Sequence, residues 1–451
     1  MKIIVVGAGE IGSNLARFLT EENHEVFLIE QNEETVRKIQ EKMDVKIVTG
    51  SGADPEILKQ VLTGGADLVV AVTTSDEVNL TVCVLASSLG AKRRIARVRN
   101  SSLSKELLRS GLSLFHLDEI INPEEVASRS IVRTIETPGA REVADFVDGR
   151  ILLRAFELPE SSPLCNIKLE EVNPNDFPWP FLIVFVIRDG TVIIPKGANT
   201  LKVGDRIYVL LPAGSLGEFL TFVDPTIRKP KKAVIYGASD IGIRVAQGLT
   251  PIIRDIVLLD ENGALAENAA SLLEETQIIN GSAAEPDMLK EAGIEAADVF
   301  VAASSQDHSN LISSVLAKRM GAKTTIIVSQ QPAYLSIIDA LNIDVIITPR
   351  LLAVQQILRF VRGKGVRSMI KLLDCKAEVL EFVPDAGSPV TRALIKNISF
   401  PKNSIVGAIT VGGEAFLANG ETQIKAGERV IVFCQDNAVQ KLTKLFVKQK
   451  A

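Results

Sequence analysis

The feature that most constrains this chain is that it is written twice. Lys2-Ile-Ile-Val-Val-Gly7-Ala8-Gly9-Glu10-Ile11-Gly12 returns as Lys232-Ala-Val-Ile-Tyr-Gly237-Ala238-Ser239-Asp240-Ile241-Gly242, with Gly7 and Gly237 separated by 230 residues and Glu30 matched by Asp260 at the same offset. Asp67-Leu-Val-Val-Ala-Val-Thr73-Thr74-Ser-Asp76-Glu-Val-Asn79 is restated by Asp298-Val-Phe-Val-Ala-Ala-Ser304-Ser305-Gln-Asp307-His-Ser-Asn310. A third pair, Ile194 to Val209 and Leu417 to Val432, shares a Gly-acid-Arg turn at Gly204-Asp205-Arg206 and Gly427-Glu428-Arg429. A period this long is two copies of a two-domain unit, so four domains are expected, over 1–122, 142–225, 230–348 and 368–450.

Each long unit alternates short aliphatic runs with amphipathic segments, which predicts a doubly wound parallel sheet; the fold class is α/β. In the first unit the strand signals are 2–6, 25–29, 45–49, 67–72, 93–98 and 113–117. Each short unit, in the first copy from Val143 to about Val223, is a small α+β module of runs such as 150–156, 181–187, 192–194 and 206–211. Asp224 to Lys232, rich in proline and charge, reads as a linker.

The opening strand runs through Gly7, Gly9 and Gly12 into a helical pattern. Here the first glycine makes the tight turn, the second admits a pyrophosphate to the backbone, and the third packs helix on strand. Glu30 ends the second strand, about 20 residues on, where an acid accepts the ribose hydroxyls and repels a 2′-phosphate, which disfavours NADP. Ligands of such sheets bind past the carboxyl ends of the strands. The positions there are Gly7 to Ile11, Glu30, Gly50-Ser51, Thr73-Thr74 and Arg97. Arg97 suits phosphate oxygens through its guanidinium fork. Thr73-Thr74 suits either nucleotide contact or helix capping, and Asp76 and Asp307 read as helix-start residues rather than catalytic acids.

Composition removes other classes. A net charge of −5 offers no broad basic surface for nucleic acid. No apolar run approaches the 18 or more residues of a membrane span, and no leader pattern precedes the first strand. His24, His116 and His308 are scattered, so no zinc cluster is expected, and Cys83, Cys165, Cys375 and Cys434 read as apolar fillers in a reducing compartment.

Two units of a GxGxxG fold, with an acid at the second strand and each followed by a small module ending in Gly-acid-Arg, form a specific combination. With Ala71-Val-Thr-Thr-Ser-Asp-Glu77, Arg94-Ile-Ala-Arg-Val-Arg99 and Leu316 to Lys323, the chain resembles over its whole length the KTN/RCK-domain subunits of Trk-type potassium uptake systems. The resemblance implies a non-enzymatic, cytoplasmic subunit, peripheral at the inner face of the membrane. It implies binding of NAD(H) or ATP/ADP and assembly as a homo-oligomeric ring, a tetramer, under a TrkH/TrkG-like potassium-translocating protein. Carried over, the nucleotide contacts are Gly7, Ala8, Gly9, Glu10, Ile11, Gly12, Glu30, Thr73, Thr74 and Arg97. The second set is Gly237, Ala238, Ser239, Asp240, Ile241, Gly242, Asp260, Ser304 and Ser305.

The copies are not equal. Ser239 replaces Gly9 and Val328 replaces Arg97, so the second site keeps the turn and the ribose acid but loses phosphate grip. The rival reading is an NAD-dependent oxidoreductase, but the small modules offer no histidine and no obvious acid/base pair facing a nicotinamide. A nucleotide-sensing subunit of another cation channel or antiporter is the third alternative. Helical segments at 124–135 and 351–361 carry apolar spacing with little in their own unit to cover, which predicts that the ring forms between subunits through the Rossmann units at these faces.

Overall fold

The computed structural model describes residues 1–41, 43–171, 179–331, 334, 337, 340–361, 366–372, 377–435 and 438–448. They divide into two compact units, Met1–Ala127 with Thr348–Val361, and Ser128–Ile347 with Arg362–Ala451.

In the first unit the strands are β1 (Lys2–Val6), β2 (Glu25–Glu30), β3 (Lys46–Thr49), β4 (Leu68–Ala71), β5 (Arg94–Arg97) and β6 (Glu119–Ile121). The helices α1 (Glu10–Glu21), α2 (Glu33–Gln40), α3 (Pro55–Leu62), α4 (Asp76–Ser88) and α5 (Ser101–Ser110) alternate with them, and α6 (Pro123–Glu136) starts here. The strands pair in parallel in the order β3-β2-β1-β4-β5-β6. Ile3, Ile4 and Val5 and the equivalent residues of β4 are fully buried, as expected of strands covered on both faces. Side chains start the helices where the sequence offers cap residues: Asn32, Asp54, Ser75 and Asn100 each accept a backbone N–H of the helix they precede. The exception is α1, which begins at Gly9 with no side-chain cap.

The expected sixth strand at 113–117 is displaced. Leu112–Phe115 is a 3-10 turn between Gly111 (φ 92°) and left-handed His116 (φ 54°), and the strand follows at 119–121. Apolar content misled the reading, because Leu114 is 66% and Phe115 37% exposed and neither builds the sheet.

In the second unit, β7 (Ala140–Phe146), β8 (Ile151–Glu157), β9 (Leu182–Arg188), β10 (Thr191–Ile193) and β11 (Arg206–Pro212) form an antiparallel sheet in the order β10-β9-β11-β8-β7, backed by α7 (Leu216–Val223). The edge strand β7 lies wholly outside the β runs picked out in the sequence, because its charged residues Arg141, Glu142 and Asp145 break the apolar pattern. The second Rossmann sheet has strands β12 (Lys232–Tyr236), β13 (Asp255–Asp260), β14 (Gln277–Asn280), β15 (Val299–Ala302), β16 (Thr324–Val328) and β17 (Val345–Ile347). It repeats the first in order and direction, with helices α8 (Asp240–Leu249), α9 (Gly263–Leu272), α10 (Pro286–Glu291) and α11 (Asp307–Arg319).

After α12 (Pro349–Val361) the chain makes a second antiparallel sheet. Its strands are β18 (Val366–Leu372), β19 (Ala377–Phe382), β20 (Ser404–Val411), β21 (Glu414–Leu417) and β22 (Val430–Gln435), followed by α13 (Val439–Phe446). The two small modules share one core, in which Leu153, Val184, Phe185 and Leu210 of the first meet Val379, Ala408, Ile431 and Phe433 of the second. Gly407 is required there, since a Cβ would lie 2.6 Å from the Phe433 ring and 2.8 Å from Leu210. The Phe185 and Phe433 rings meet edge to face at 5.7 Å.

The helices at 124–135 and 351–361 do find cover, and they find it within the chain. In the first unit α12 packs on α1 and against β6. In the second, Val132 of α6 packs on α8 at Gly248, where a Cβ would come within 2.8 Å of it. Each helix follows the last strand of its own sheet and meets the first helix of the other copy, α12 on α1 and α6 on α8 at Val132. No helix among the described residues is long and apolar enough to cross a membrane.

Candidate functional site

In a sheet of order β3-β2-β1-β4-β5-β6 the connections diverge between β1 and β4, which opens a crevice at the carboxyl ends of those strands. Gly7 and Thr73 meet there. Gly7 has φ 96°, and a Cβ on it would stand 3.0 Å from the Thr73 backbone, so both the turn and the contact require glycine. Gly12 is fixed by the turn that precedes α1, since a Cβ would lie 1.9 Å from the Gly7 carbonyl oxygen. Gly9 is different. Nothing lies within 4 Å of the place its Cβ would take, and it stands at the uncapped start of α1. The first turn of α1 thus presents N–H groups, with the positive end of the helix dipole, to open space.

Glu30 sits at the end of β2 and is anchored from below. One carboxylate oxygen accepts the Ala8 N–H at 2.7 Å and the other the Asn32 N–H at 2.8 Å. Each oxygen has a second lone pair, enough to accept ribose hydroxyls without losing the anchor. The structure therefore assigns Ala8 N–H to Glu30 rather than to a phosphate.

Thr73 does not cap α4; Ser75 does, accepting the Val78 N–H. The Thr73 N–H and hydroxyl both donate to the Asn79 side-chain oxygen, each at 2.8 Å, while the Asn79 amide donates to the carbonyls of Thr73 and Arg97. Fully buried Asn79 thus ties the loop after β4 to the end of β5. Reading the sequence for site residues passed over it, although a signal was present: both copies carry Asp-x-x-Asn at the start of this helix, and asparagine is a poor choice for a helix interior unless its side chain is used. Asp76 accepts the N–H groups of Arg99 and Asn100 and so fixes the loop after β5.

Arg97 ends β5 beside Glu124, at the first turn of α6. Its Nη2 lies 3.4 Å from the Glu124 carboxylate, and Arg99 Nε lies 3.3 Å from the same oxygen. Burial pushes the Arg97 guanidinium below its usual range, partly offset by Glu124. Arg97 Nε and the other Glu124 oxygen are buried and unpaired, so this pair has unused hydrogen-bonding capacity.

The second copy is built alike and finished differently. Asp260 accepts from Ala238 and Asn262 as Glu30 does from Ala8 and Asn32, and Asn310 links Ser304 to the Val328 carbonyl. Gly237 (φ 106°) and Gly242 repeat the turn. Ser239, however, donates to the Ala303 carbonyl at 2.6 Å and accepts the Gly242 N–H at 3.2 Å. It fills the space left open at Gly9 and caps α8 by taking up the Gly242 N–H. Val328 is buried and apolar where Arg97 stands in the first copy. Asp307 receives Gln330 N–H and the Ser329 hydroxyl, a loop tie like that of Asp76.

The remaining singled-out groups are structural. Cys83 and Cys434 are buried and Cys165 is partly so, and none of the three is in a disulfide, while Cys375 lies outside the described residues. Among the described residues no cluster of His, Cys, Asp and Glu could hold a metal ion.

Comparison with known proteins matches the same architecture. The TrkA-N domain matches residues 3–123 and 233–349, and the TrkA-C domain 153–223 and 379–447. The Trk system potassium uptake protein TrkA of Haemophilus influenzae is 30% identical over 99% of this chain and 98% of its own length. The TrkA homolog 2 of Methanosarcina mazei is 28% identical over 99% and 100%. Among solved structures, the GsuK RCK domain aligns with a TM-score of 0.63 at 17% identity, covering 98% of this chain and 94% of that one. The GsuK channel bound to NAD aligns with a TM-score of 0.64 at 16% identity, covering 99% of this chain and 78% of that one.

Proposed function

The chain belongs to the TrkA family, and from that premise we propose that it is the nucleotide-binding regulatory subunit of a membrane potassium uptake system. The observation that carries the reading is the first-copy crevice, with its uncapped α1, open Gly9 and anchored Glu30. These groups fit an adenine nucleotide or NAD(H). Glu30 holds the ribose, the N–H groups of Gly9 to Gly12 hold phosphate, and Thr73, Thr74 and Arg97 border the crevice from β4 and β5. GsuK, which shares the fold, has been solved with NAD and with ADP, which supports these two ligand classes.

The second crevice keeps Gly237, Asp260, Ser304 and Ser305 but caps its own helix through Ser239. It binds nucleotide weakly and serves mainly as a structural partner. The two acids that resemble catalytic groups, Asp76 and Asp307, are spent on backbone N–H groups, which favours a regulator over an oxidoreductase. Regulation follows if nucleotide binding is coupled to one of two arrangements of the chain's units, biasing that equilibrium by its differential affinity. The subunit acts as a homo-oligomeric ring at the inner membrane face, beneath the potassium-translocating protein.

The test is potassium flux into liposomes holding a Trk-type potassium-translocating membrane protein, with this chain added, with and without NADH, NAD, ATP or ADP. Flux that depends on both chain and nucleotide supports the proposal. Flux indifferent to the chain, or steady nicotinamide turnover by the chain alone, overturns it.

A further inference from the structure

The two copies differ in charge at one further position. β6 runs into Asn122-Pro123-Glu124, whereas β17 runs into Thr348-Pro349-Arg350, so a cation stands where the first copy has an acid. This arginine belongs to α12, the helix that lies with the first unit and packs on α1. Its guanidinium pairs with the carboxylate of Glu10. Glu10 is the first residue of α1, next to the open position at Gly9, so a residue of the second copy brings positive charge to the mouth of the first nucleotide crevice.

We propose that Arg350 is a phosphate-binding residue of the first nucleotide site, and that Glu10 is the counter-ion it gives up when phosphate arrives. The inference rests on the first crevice being the nucleotide site. Three observations carry it. Arg97, the cation expected for this role, is engaged by Glu124 and its side chain is only 16% exposed, while that of Arg350 is 30% exposed. Glu10 is more exposed still, at 55%, and an ion pair so open to water is held weakly. A guanidinium bound to a phosphate through two parallel hydrogen bonds forms a stronger and more directional contact, so exchange favours the nucleotide. The uncapped end of α1 also attracts the incoming phosphate, while Glu10 repels it until Arg350 stands between them. The ligand class is any nucleotide with a diphosphate or longer chain. The consequence is that occupancy of the first copy is felt by a helix of the second.

The experiment is calorimetric titration of the full chain with ADP, ATP and AMP, comparing the wild type with Arg350→Gln, Arg350→Lys and Glu10→Gln. Arg350→Gln should weaken ADP and ATP at the tight site about tenfold, equivalent to about 1.4 kcal/mol, and AMP about twofold or less. Arg350→Lys should recover part of the loss. Glu10→Gln should bind ADP more tightly than the wild type, a gain that a purely structural ion pair would not give. Wild-type ADP affinity in Arg350→Gln, or an equal loss for AMP and ADP, overturns the inference and leaves the nucleotide site standing. A wild type that binds none of the three removes both.

Discussion

Gly9→Ser transplants the second copy's cap into the first. The backbone is already matched, with φ −61° and ψ −174° at Gly9 against −73° and 170° at Ser239, and the space beyond Gly9 is empty. The new hydroxyl should accept the Gly12 N–H, as Ser239 accepts that of Gly242 at 3.2 Å. A serine in place of glycine at a helix start stabilises by a few tenths of a kcal/mol, so the melting temperature should hold or rise slightly. Binding should suffer, because the hydroxyl fills the phosphate position and competes for an N–H. A hydrogen bond to a charged group contributes about 1.5–3 kcal/mol, which converts to about a tenfold to hundredfold loss for ADP or NADH. The assay is calorimetric titration with thermal melts on the same preparation. Undiminished affinity in a folded Gly9→Ser protein would refute the claim that the open, uncapped α1 start is the phosphate site. The mirror change, Ser239→Gly, should strengthen binding in the second copy by a smaller factor, since Val328 still supplies no charge.

Glu30→Ala should lose at least tenfold in NADH affinity, and the preference for NADH over NADPH should narrow, because the carboxylate that meets a 2′-phosphate is gone; parallel titrations with both nucleotides check this. Asn79→Ala should cost about 2 kcal/mol in urea denaturation, within the 1–3 kcal/mol expected when buried groups such as the Thr73 N–H lose their partner. Cys83, whose thiol burial pushes up to about 12, should resist iodoacetamide in the native protein at pH 8 and react once unfolded. Because folding raises this pKa from 9.0, its contribution to stability is complete below about pH 9 and declines as pH rises toward 12, which alkaline unfolding curves of Cys83→Ala against wild type should show.

The glycine spacing, the ribose acid and the duplication were legible because each is local: backbone conformation or a side chain at fixed offset determines it. Gly7 needs its left-handed φ, and Glu30 needs only to end β2. What could not be read depends on contacts between residues far apart in sequence. The shared core of the two small modules depends on Phe433 meeting Phe185, and nothing in either run names its partner. The apolar spacing of α12 was read as a subunit interface, but periodicity says that a face is buried and not against what, and here α1 of the same chain packs on the helix. The meeting of Arg350 with Glu10 follows from that docking. Asn79 escaped notice because one polar residue in a helix looks the same in sequence whether it faces water or holds two strand ends together. Ser239 was read as an obstruction to phosphate; its hydrogen bonds add that it also replaces the ligand as the cap of α8.

On the function proposed above, one chain carries one working nucleotide site, in its first copy, and calorimetric titration of the intact wild-type chain with NADH checks this. About one tight equivalent per chain is expected, lost in Gly9→Ser and kept when the second copy is altered at Asp260, with any further binding weaker by roughly thirtyfold, the factor for about 2 kcal/mol of lost phosphate contacts. Two equal tight sites, or a tight site that disappears with Asp260→Ala and survives Gly9→Ser, would contradict it.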